Sequence, residues 1–537
     1  MKKIRVIATL VALVALVVFV ATGCIGSGDE NSQFDHPDRV TVQWLAYQTN
    51  AQPQRDAAVI QAIEEKYGVN LHFWFIEAAR YEELLGVRLA AGEMPDIFRL
   101  PNLGTLPRFV TQGIAAEITE EMLSLAPAYV ESIHENGDWD QTFIDATIDG
   151  RIYALKHQSL AGAYPTTLAW RTDWLRNVGI DRIPETLEEF EEAMYRFTFH
   201  DPNGSGVNDT YGMSETTMNA IFGAFGEIPI NRFNLEGGID TFNTVDVNGE
   251  MTFAVIQPTM MEPLRILNRW FEMGLIDPNF ITGENTGGHW AVSQAFENGR
   301  IGVTGMGMIN HWHPPFFEGG AGGVVYQSMR NVNPNMEFGR DFYLGTAPIG
   351  PGGHAATHQW GTVDNGGTIV TTQAARNPEV INFIFTLLND LYSDMDVEIL
   401  VGMGIEDVTF EYTPQGIRQV LADFPTAADH TRAGLGVMRP SGGSNPAFIR
   451  AANPALFDFM DRFKGPGIPN YRAPNVPSRT RYIGSLHRFA VESYMFMITG
   501  ERDIDTFFPE FVETFLQQGG QTIIDDTNEA IRQNRAR

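Results

Sequence analysis

The twelve residues "DPNGSGVNDTYG" at 201 to 212 place oxygen donors at the spacing of a calcium-binding loop. Counted from Asp201, donors fall at positions 1 (Asp201), 3 (Asn203), 5 (Ser205), 7 (the Val207 carbonyl) and 9 (Asp209), with Gly206 sixth, where such a loop turns sharply. Calcium takes six to eight hard oxygens. Position 12 is Gly212 rather than a bidentate Glu, so the set must be completed by both oxygens of Asp209, by water or by a carboxylate from elsewhere. The competing reading is a Gly/Asn turn with solvated carboxylates. Nothing adjacent supplies a nucleophile or an oxyanion site, so an ion here would be structural.

Other residue sets with chemical potential are weaker. His289, His311, His313, His354 and His358 gather in sequence, and His354 and His358 are four apart. On a helix that spacing can share zinc, as a metal-uptake receptor would require. They lie among Gly and Pro, where no helix is predicted. A glycoside hydrolase would use two carboxylates, and acidic residues abound, but pairs such as Glu406 and Asp407 read as caps or turns. No Gly-x-Ser-x-Gly elbow, His-Glu-x-x-His helix or Gly-x4-Gly-Lys-Ser/Thr phosphate loop occurs. The expectation is therefore a chain that is not an enzyme.

The ends set the compartment. Met1-Lys2-Lys3-Ile4-Arg5, an apolar run from Val6 to Ala21, and Thr22-Gly23-Cys24 make an export signal, too short for a permanent span. Ala-Thr-Gly-Cys resembles a bacterial lipobox, in which the cysteine becomes the lipid-bearing N-terminus. Cys24 is the single cysteine of 537 residues, so no intramolecular disulfide can form. Residues 1–23 are read as a leader and 24–38 as a flexible tether to the extracytoplasmic face of the cell membrane. A net charge of -29 excludes nucleic acid as a natural partner. The remaining length exceeds what one hydrophobic core organises, which predicts at least two lobes.

The elements alternate. "VTVQWLAY" (41 to 48) reads as a strand. "DAAVIQAIEEKYGVNLHFWFI" (56 to 76) reads as a helix with Ala58, Ile60, Ile63 and Tyr67 on one face, a stop at Gly68, and a second strand. A further helix runs into a short strand at Pro95-Asp96-Ile97-Phe98. "TTLAWRTDWLRNVGI" (166 to 180) is strand then helix, and Thr186 with Glu189 forms a capping box for a helix burying Leu187, Phe190, Met194 and Phe197. Residues 366 to 393 read as strand then helix, and the tail from Val491 is helical. The pattern predicts an α/β fold with a mainly parallel sheet and ligands beyond its carboxyl edge.

Several blocks, in order, resemble the bacterial extracellular solute-binding proteins of the carbohydrate type, in their calcium-containing oligosaccharide-binding lipoprotein subgroup. They are the lipobox, "AAGEMPDIF" (90 to 98), "DGRIYAL" (149 to 155), "WRTDWLRNVGI" (170 to 180), "PETLEEFEEAM" (184 to 194), the 201 to 214 loop, "PIGPGG" (348 to 353) and the closing helices of 498 to 531. The resemblance implies a two-lobed periplasmic-binding-protein-like fold of type II, with the ligand cleft between the lobes. It also implies a monomer that delivers a sugar to an ABC permease powered by a separate ATPase. The lobes are expected at 39–160 with 355–400, and at 161–354 with 401–537.

A sugar ring offers an apolar face and a rim of hydroxyls, so its receptor pairs aromatic surfaces with short polar side chains. Trp312 resembles the family's stacking tryptophan after a glycine-rich strand. Trp360 follows, then Trp290, Tyr47, Trp170 and Tyr471, each with core packing as its alternative. Gln48, Asn50, Arg99, Asn102, Asn310 and Arg439 are the candidate polar partners, and the two arginines would also fork onto a uronate carboxylate.

Overall fold

The computed structural model describes residues 34–535, apart from 46–50, 78–79, 165–166, 231–241, 283–292, 306, 319, 362, 413–417 and 470. Cys24, the leader and most of the tether lie outside the described residues. Among those described, no helix is long and apolar enough to cross a membrane.

The first sheet follows the expected alternation. β1 (Val40–Leu45), α1 (Ala58–Tyr67), β2 (Val69–Trp74), α2 (Tyr81–Ala90) and β3 (Ile97–Leu100) follow in order, and β1 lies between β2 and β3, parallel to both. Strand Gly367–Val370 returns from far along the chain and pairs antiparallel with β3. Gly68 ends α1 in the left-handed region (φ 66°), with its N–H on the Glu64 carbonyl, as its sequence position predicts. The buried face of α1 differs from the expected one: Val59, Ile60, Ile63 and Glu64 are inside, while Ala58 is exposed. Glu64 is tolerated there because it accepts from Arg55 (3.1 and 2.5 Å) and from the Leu71 N–H (2.6 Å).

The reading of 24–38 as tether needs correction at its end. Asp35 accepts from Arg55 (2.5 Å) and lies 3.0 Å from His72 Nε2, while the His36 N–H donates to Asn70 Oδ1 (2.9 Å). Residues 34–38 are thus part of the folded lobe. Buried Arg55 has two acidic neighbours to satisfy, and one of them comes from the segment that composition assigned to a linker.

Three apolar cores organise the rest. The first takes Val42 to Leu155, Ile369 to Val401 and Ala433 to Met438. The second takes Leu168 to Ala347 and Val476 to Ile523, built on helix Pro477–Ile498. The third, beside it, joins Tyr164 to Leu344 with Phe457, Met460 and Phe463 around the antiparallel sheet Phe342–Gly345, Leu168–Arg171 and Val303–Thr304. The expected boundary at 400 therefore moves: Val401, Ala433, Leu435 and Met438 pack into the first lobe, and the chain leaves that lobe near 440.

Trp312, the first choice for sugar stacking, is core. It is 1% exposed, edge-on to Phe296 (5.9 Å) and tilted on Phe342 (6.2 Å), and its indole N–H meets no acceptor among the described residues. Trp170 is likewise buried, edge-on to Phe190. The glycine-rich run before Trp312 allows the chain to double back: Gly307 (φ 89°) packs on the indole, which therefore turns inward. Trp312→Ala is expected to cost about 3–5 kcal/mol of unfolding free energy, measured by denaturant titration, because it leaves a cavity among Phe296, Phe342 and Val325.

Candidate functional site

The core memberships require the chain to cross between lobes three times, near 156–160, 356–367 and 439–448. All three crossings meet at one group of charged side chains beyond the carboxyl end of β3. Lys156, in the first crossing, is fully buried and uses all three of its hydrogens: on Asp145 (3.1 Å), the Asp364 carbonyl (2.7 Å) and the Gly366 carbonyl (2.7 Å). Arg99 closes on Asp364 from the second crossing and on the Ser441 carbonyl (2.9 Å) from the third. Next to it the His157 ring lies 3.1 Å from that same Ser441 carbonyl. Gly442 (φ 90°) is required, since any Cβ there would overlap the Arg99 guanidinium.

Arg472, from the segment before helix Pro477–Ile498, adds a second-lobe cation. It pairs with Asp145, donates to Asn365 (2.9 Å) and to the Val363 carbonyl (3.3 Å), and is followed by Asn475, whose amide donates to the Asp145 carbonyl (2.8 Å). The parallel pairing of Gln359–Trp360 with Ile468–Pro469 holds this segment against the second crossing. Burial pulls the Lys156 ammonium down to about 8, against the opposing pull of Asp145. Burial likewise pushes the His157 imidazole down to about 4.

The predicted polar contacts divide. Arg99 is spent on Asp364, and Arg439 forks onto Glu398 (2.6 and 2.7 Å) inside the first lobe, so each arginine already holds a protein carboxylate. Asn102 is half-buried and accepts from the Gly104 N–H (3.1 Å); Asn310 is half-buried in the turn Ile309–His311. Tyr47, Gln48, Asn50 and Trp290 lie outside the described residues, as does His289. Trp360 has its backbone in the second crossing. Tyr471, adjacent to Arg472, is 43% exposed and therefore offers a ring at the crossings. Phe75, just past the carboxyl end of β2, is 38% exposed and was not singled out from sequence. It lies inside the block that the sequence reads as the second strand, whereas the observed strand ends at Trp74.

Lys156, Asp145, Asp364 and Arg472 were also missed. No spacing rule links positions 145, 156, 364 and 472; only the threading of three crossings brings them together. Of the other histidines, His311 accepts from the Met308 N–H (3.3 Å) through Nδ1, and His313 stacks on Phe316 (4.4 Å). Among the described residues no three His, Cys, Asp or Glu side chains gather as a metal-holding group.

The 201–212 loop lies at the end of α3 (Leu187–Phe199), whose Thr186 side chain caps Glu189 N–H and whose Glu189 returns to the Glu185 N–H. Leu187, Phe190, Met194 and Phe197 are buried as expected, each contributing about 1.5–3 kcal/mol. Asp201 then takes a left-handed conformation (φ 47°) and the loop closes on itself. Ser205 Oγ lies 3.4 Å from Asp201 Oδ1, 3.1 Å from the Val207 carbonyl and 3.0 Å from Asp209 Oδ1, so four oxygen donors face one point. Asn203 donates its amide N–H to Asp209 (3.0 Å), and its Oδ1 accepts from the Ser205 N–H (3.1 Å). This donor set, two carboxylates with neutral oxygens, fits a hard cation of the calcium kind. Position 12 does not contribute: Thr210 is buried on the Phe197 carbonyl, Gly212 bonds to Leu275 (2.9 Å), and any Cβ on Gly212 would overlap Met194.

This architecture is the α/β, two-lobed, type II fold of the periplasmic sugar-binding proteins. No protein-family model matches the chain. Two curated relatives do: it is similar to the lipoprotein LipO of Bacillus subtilis strain 168, 25% identical over 280 residues (52% of each chain). It is also similar to that organism's polygalacturonan/rhamnogalacturonan-binding protein YtcQ, 27% identical over 221 residues (40% of this chain, 42% of that one). The match thus spans about half the length of these relatives or less. Among solved structures, the ABC-transporter substrate-binding protein FusA of S. pneumoniae with kestose is 16% identical over 92% of this chain and 99% of its own, TM-score 0.60. The alginate-binding protein AlgQ2, solved without calcium ion, is 14% identical over 92% and 98%, TM-score 0.62. A further FusA structure carries an EF-hand mutation. The likeness to solute-binding proteins read from the sequence is borne out, and these neighbours are named as binding proteins.

A neutral His157 in the fold and an ordinary imidazole in the unfolded chain fix the sign of a pH effect. Below 6.5 the unfolded chain takes up a proton that the folded one refuses until about 4, so stability falls as pH drops through that window. The loss is at most about 3 kcal/mol. His157→Gln is expected to flatten the melting-temperature profile between pH 6.5 and 4, read by calorimetry.

Proposed function

We propose that this chain is the lipid-anchored, extracytoplasmic binding component of an ABC importer. It closes its two lobes on a sugar or oligosaccharide and hands it, uncut, to a permease driven by a separate ATPase. The observation that carries this reading is the two-lobed fold whose crossings converge beside the carboxyl edge of the first sheet. The name of YtcQ, a polygalacturonan/rhamnogalacturonan-binding protein, and the kestose complex of FusA support it. Cys24 is the lipid attachment point and the protein acts as a monomer.

The sugar contacts are drawn from the exposed rings Tyr471 and Phe75, from Asn102 and Asn310, and from the sequence candidates Trp360, Tyr47, Gln48, Asn50 and Trp290. Exposed rings at the crossings and at a strand's carboxyl end supply stacking faces, and short polar side chains take the hydroxyl rim. Asp201, Asn203, Ser205, Val207 and Asp209 hold a structural calcium that ties the end of α3 to the segment entering the second core. Its role is to pair the two loop carboxylates, which otherwise repel across a space small enough to be bridged by one serine hydroxyl.

Kestose, maltotetraose and trigalacturonate form a sufficient first panel. At least one is expected to raise the melting temperature, by an amount equivalent to about 2.7 kcal/mol at a hundredfold excess over its dissociation constant, and to be recovered intact by chromatography. No shift with any of them, or shortened products, contradicts the proposal. Separately, calcium added to chelator-treated protein is expected to raise the melting temperature, and Asp209→Asn to abolish that rise; a wild-type protein indifferent to calcium removes the ion.

A further inference from the structure

We infer that Asp145 is a positioning residue that sets the angle between the lobes, by holding Lys156 of the first crossing and Arg472 of the second lobe on one carboxylate. This rests on the two-lobed binding reading above and adds what controls its closure. Three facts support it. First, the pairing spans the lobes: Asp145 sits between helix Trp139–Phe143 and the hairpin Thr147–Ile152 of the first core, whereas Arg472 and Asn475 lead into the helix at the centre of the second. Side chain and backbone of Asp145 are both gripped from the second-lobe side.

Second, the group carries more cations than carboxylates. Arg99, Lys156 and Arg472 face Asp145 and Asp364. Asp364 serves Arg99 with its carboxylate and offers Lys156 only a carbonyl. Asp145 is therefore the carboxylate that keeps Lys156 and Arg472 together, in a site where the side chains of Asp145 and Lys156 are 7% and 0% exposed. Without it two buried cations repel across the crossings, and the arrangement that relieves the repulsion separates the lobes. Third, Arg472 also bonds to the second crossing, through Asn365 and Val363, so a movement of the second lobe is transmitted to that crossing as well as to Asp145.

The test measures lobe separation directly. In the mature chain with Cys24→Ser, spin labels are attached through Val87→Cys on α2 and Val332→Cys on helix Val324–Val332, both sites being exposed and in different lobes. Electron–electron resonance then gives the distance distribution without any sugar. Asp145→Asn and Arg472→Gln are each expected to shift the distribution to longer distances and widen it roughly twofold, and Arg472→Lys to return part of the way. Trp312→Ala, which weakens the third core at Phe296 and Phe342 and removes no contact of Asp145, Lys156 or Arg472, serves as the control for mere destabilisation. An unchanged distribution in the Asp145 variant, or the same widening in the Trp312 control, overturns the inference. If Asp145→Asn does not fold, Arg472→Gln decides, since it removes the charge from Asp145 on the second-lobe side: an unchanged distribution there overturns the inference. Kestose and trigalacturonate form a separate arm: if neither shortens the distance in the parent, the sugar-closure reading fails while the sugar-free comparison still judges Asp145.

Discussion

Buried charge needs a partner within hydrogen-bonding reach, and that requirement is what ties this molecule together at its waist. Lys156 lies with no solvent contact and is held by the Asp145 carboxylate and by two carbonyls of the second crossing. Satisfying it forces the first and second crossings alongside each other. Arg99 imposes the same condition on the second and third. The two lobes have separate apolar cores, each able to bury its own side chains, and apolar packing alone does not specify how the lobes are set relative to each other. The directional and charge-matched contacts at the crossings do.

The same logic explains where the arginines went. Planar guanidinium groups at strand ends are attractive partners for a sugar carboxylate, and sequence offers no way to tell whether such a group is free. In the fold, Arg439 is closed onto Glu398 in helix Met395–Gly402, and Arg99 onto Asp364. A ligand carboxylate would have to displace an internal one that costs nothing to bring there. Uncommitted aromatic surface is the better resource, and Tyr471 and Phe75, 43% and 38% exposed, offer it.

The loop of residues 201–212 shows how local and tertiary demands meet in a dozen residues. Its first nine positions obey local geometry, with donor oxygens on alternate residues and Asp201 in a left-handed turn. From Thr210 onward the chain belongs to the core: Thr210 bonds under α3, Tyr211 pairs beside Ile301, and Gly212 passes where Met194 leaves no room for a side chain. The missing glutamate at position 12 is thus a packing requirement rather than an eroded site.

Much of the scaffold was legible from sequence because its signals are local. The stop at Gly68, the Thr186–Glu189 cap and the buried face of Leu187, Phe190, Met194 and Phe197 depend on neighbours within one or two turns, and all three appear where the pattern places them. The tether's end was misread because Asp35 and His36 look like linker until Arg55 and Asn70 arrive from elsewhere. Trp312 was misread for a related reason: a glycine-rich approach suits an exposed stacking ring and an inward-turning chain equally well. By itself, then, the sequence determined the α/β alternation, the helix limits and the two-lobed family likeness. Only the tertiary structure decided which aromatics are core, which arginines are spent, where the lobes divide, and that residues 99, 145, 156, 364 and 472 form one site. Those outcomes depend on contacts across hundreds of residues, and a buried charge chooses its partner by proximity in space, which no spacing along the chain records.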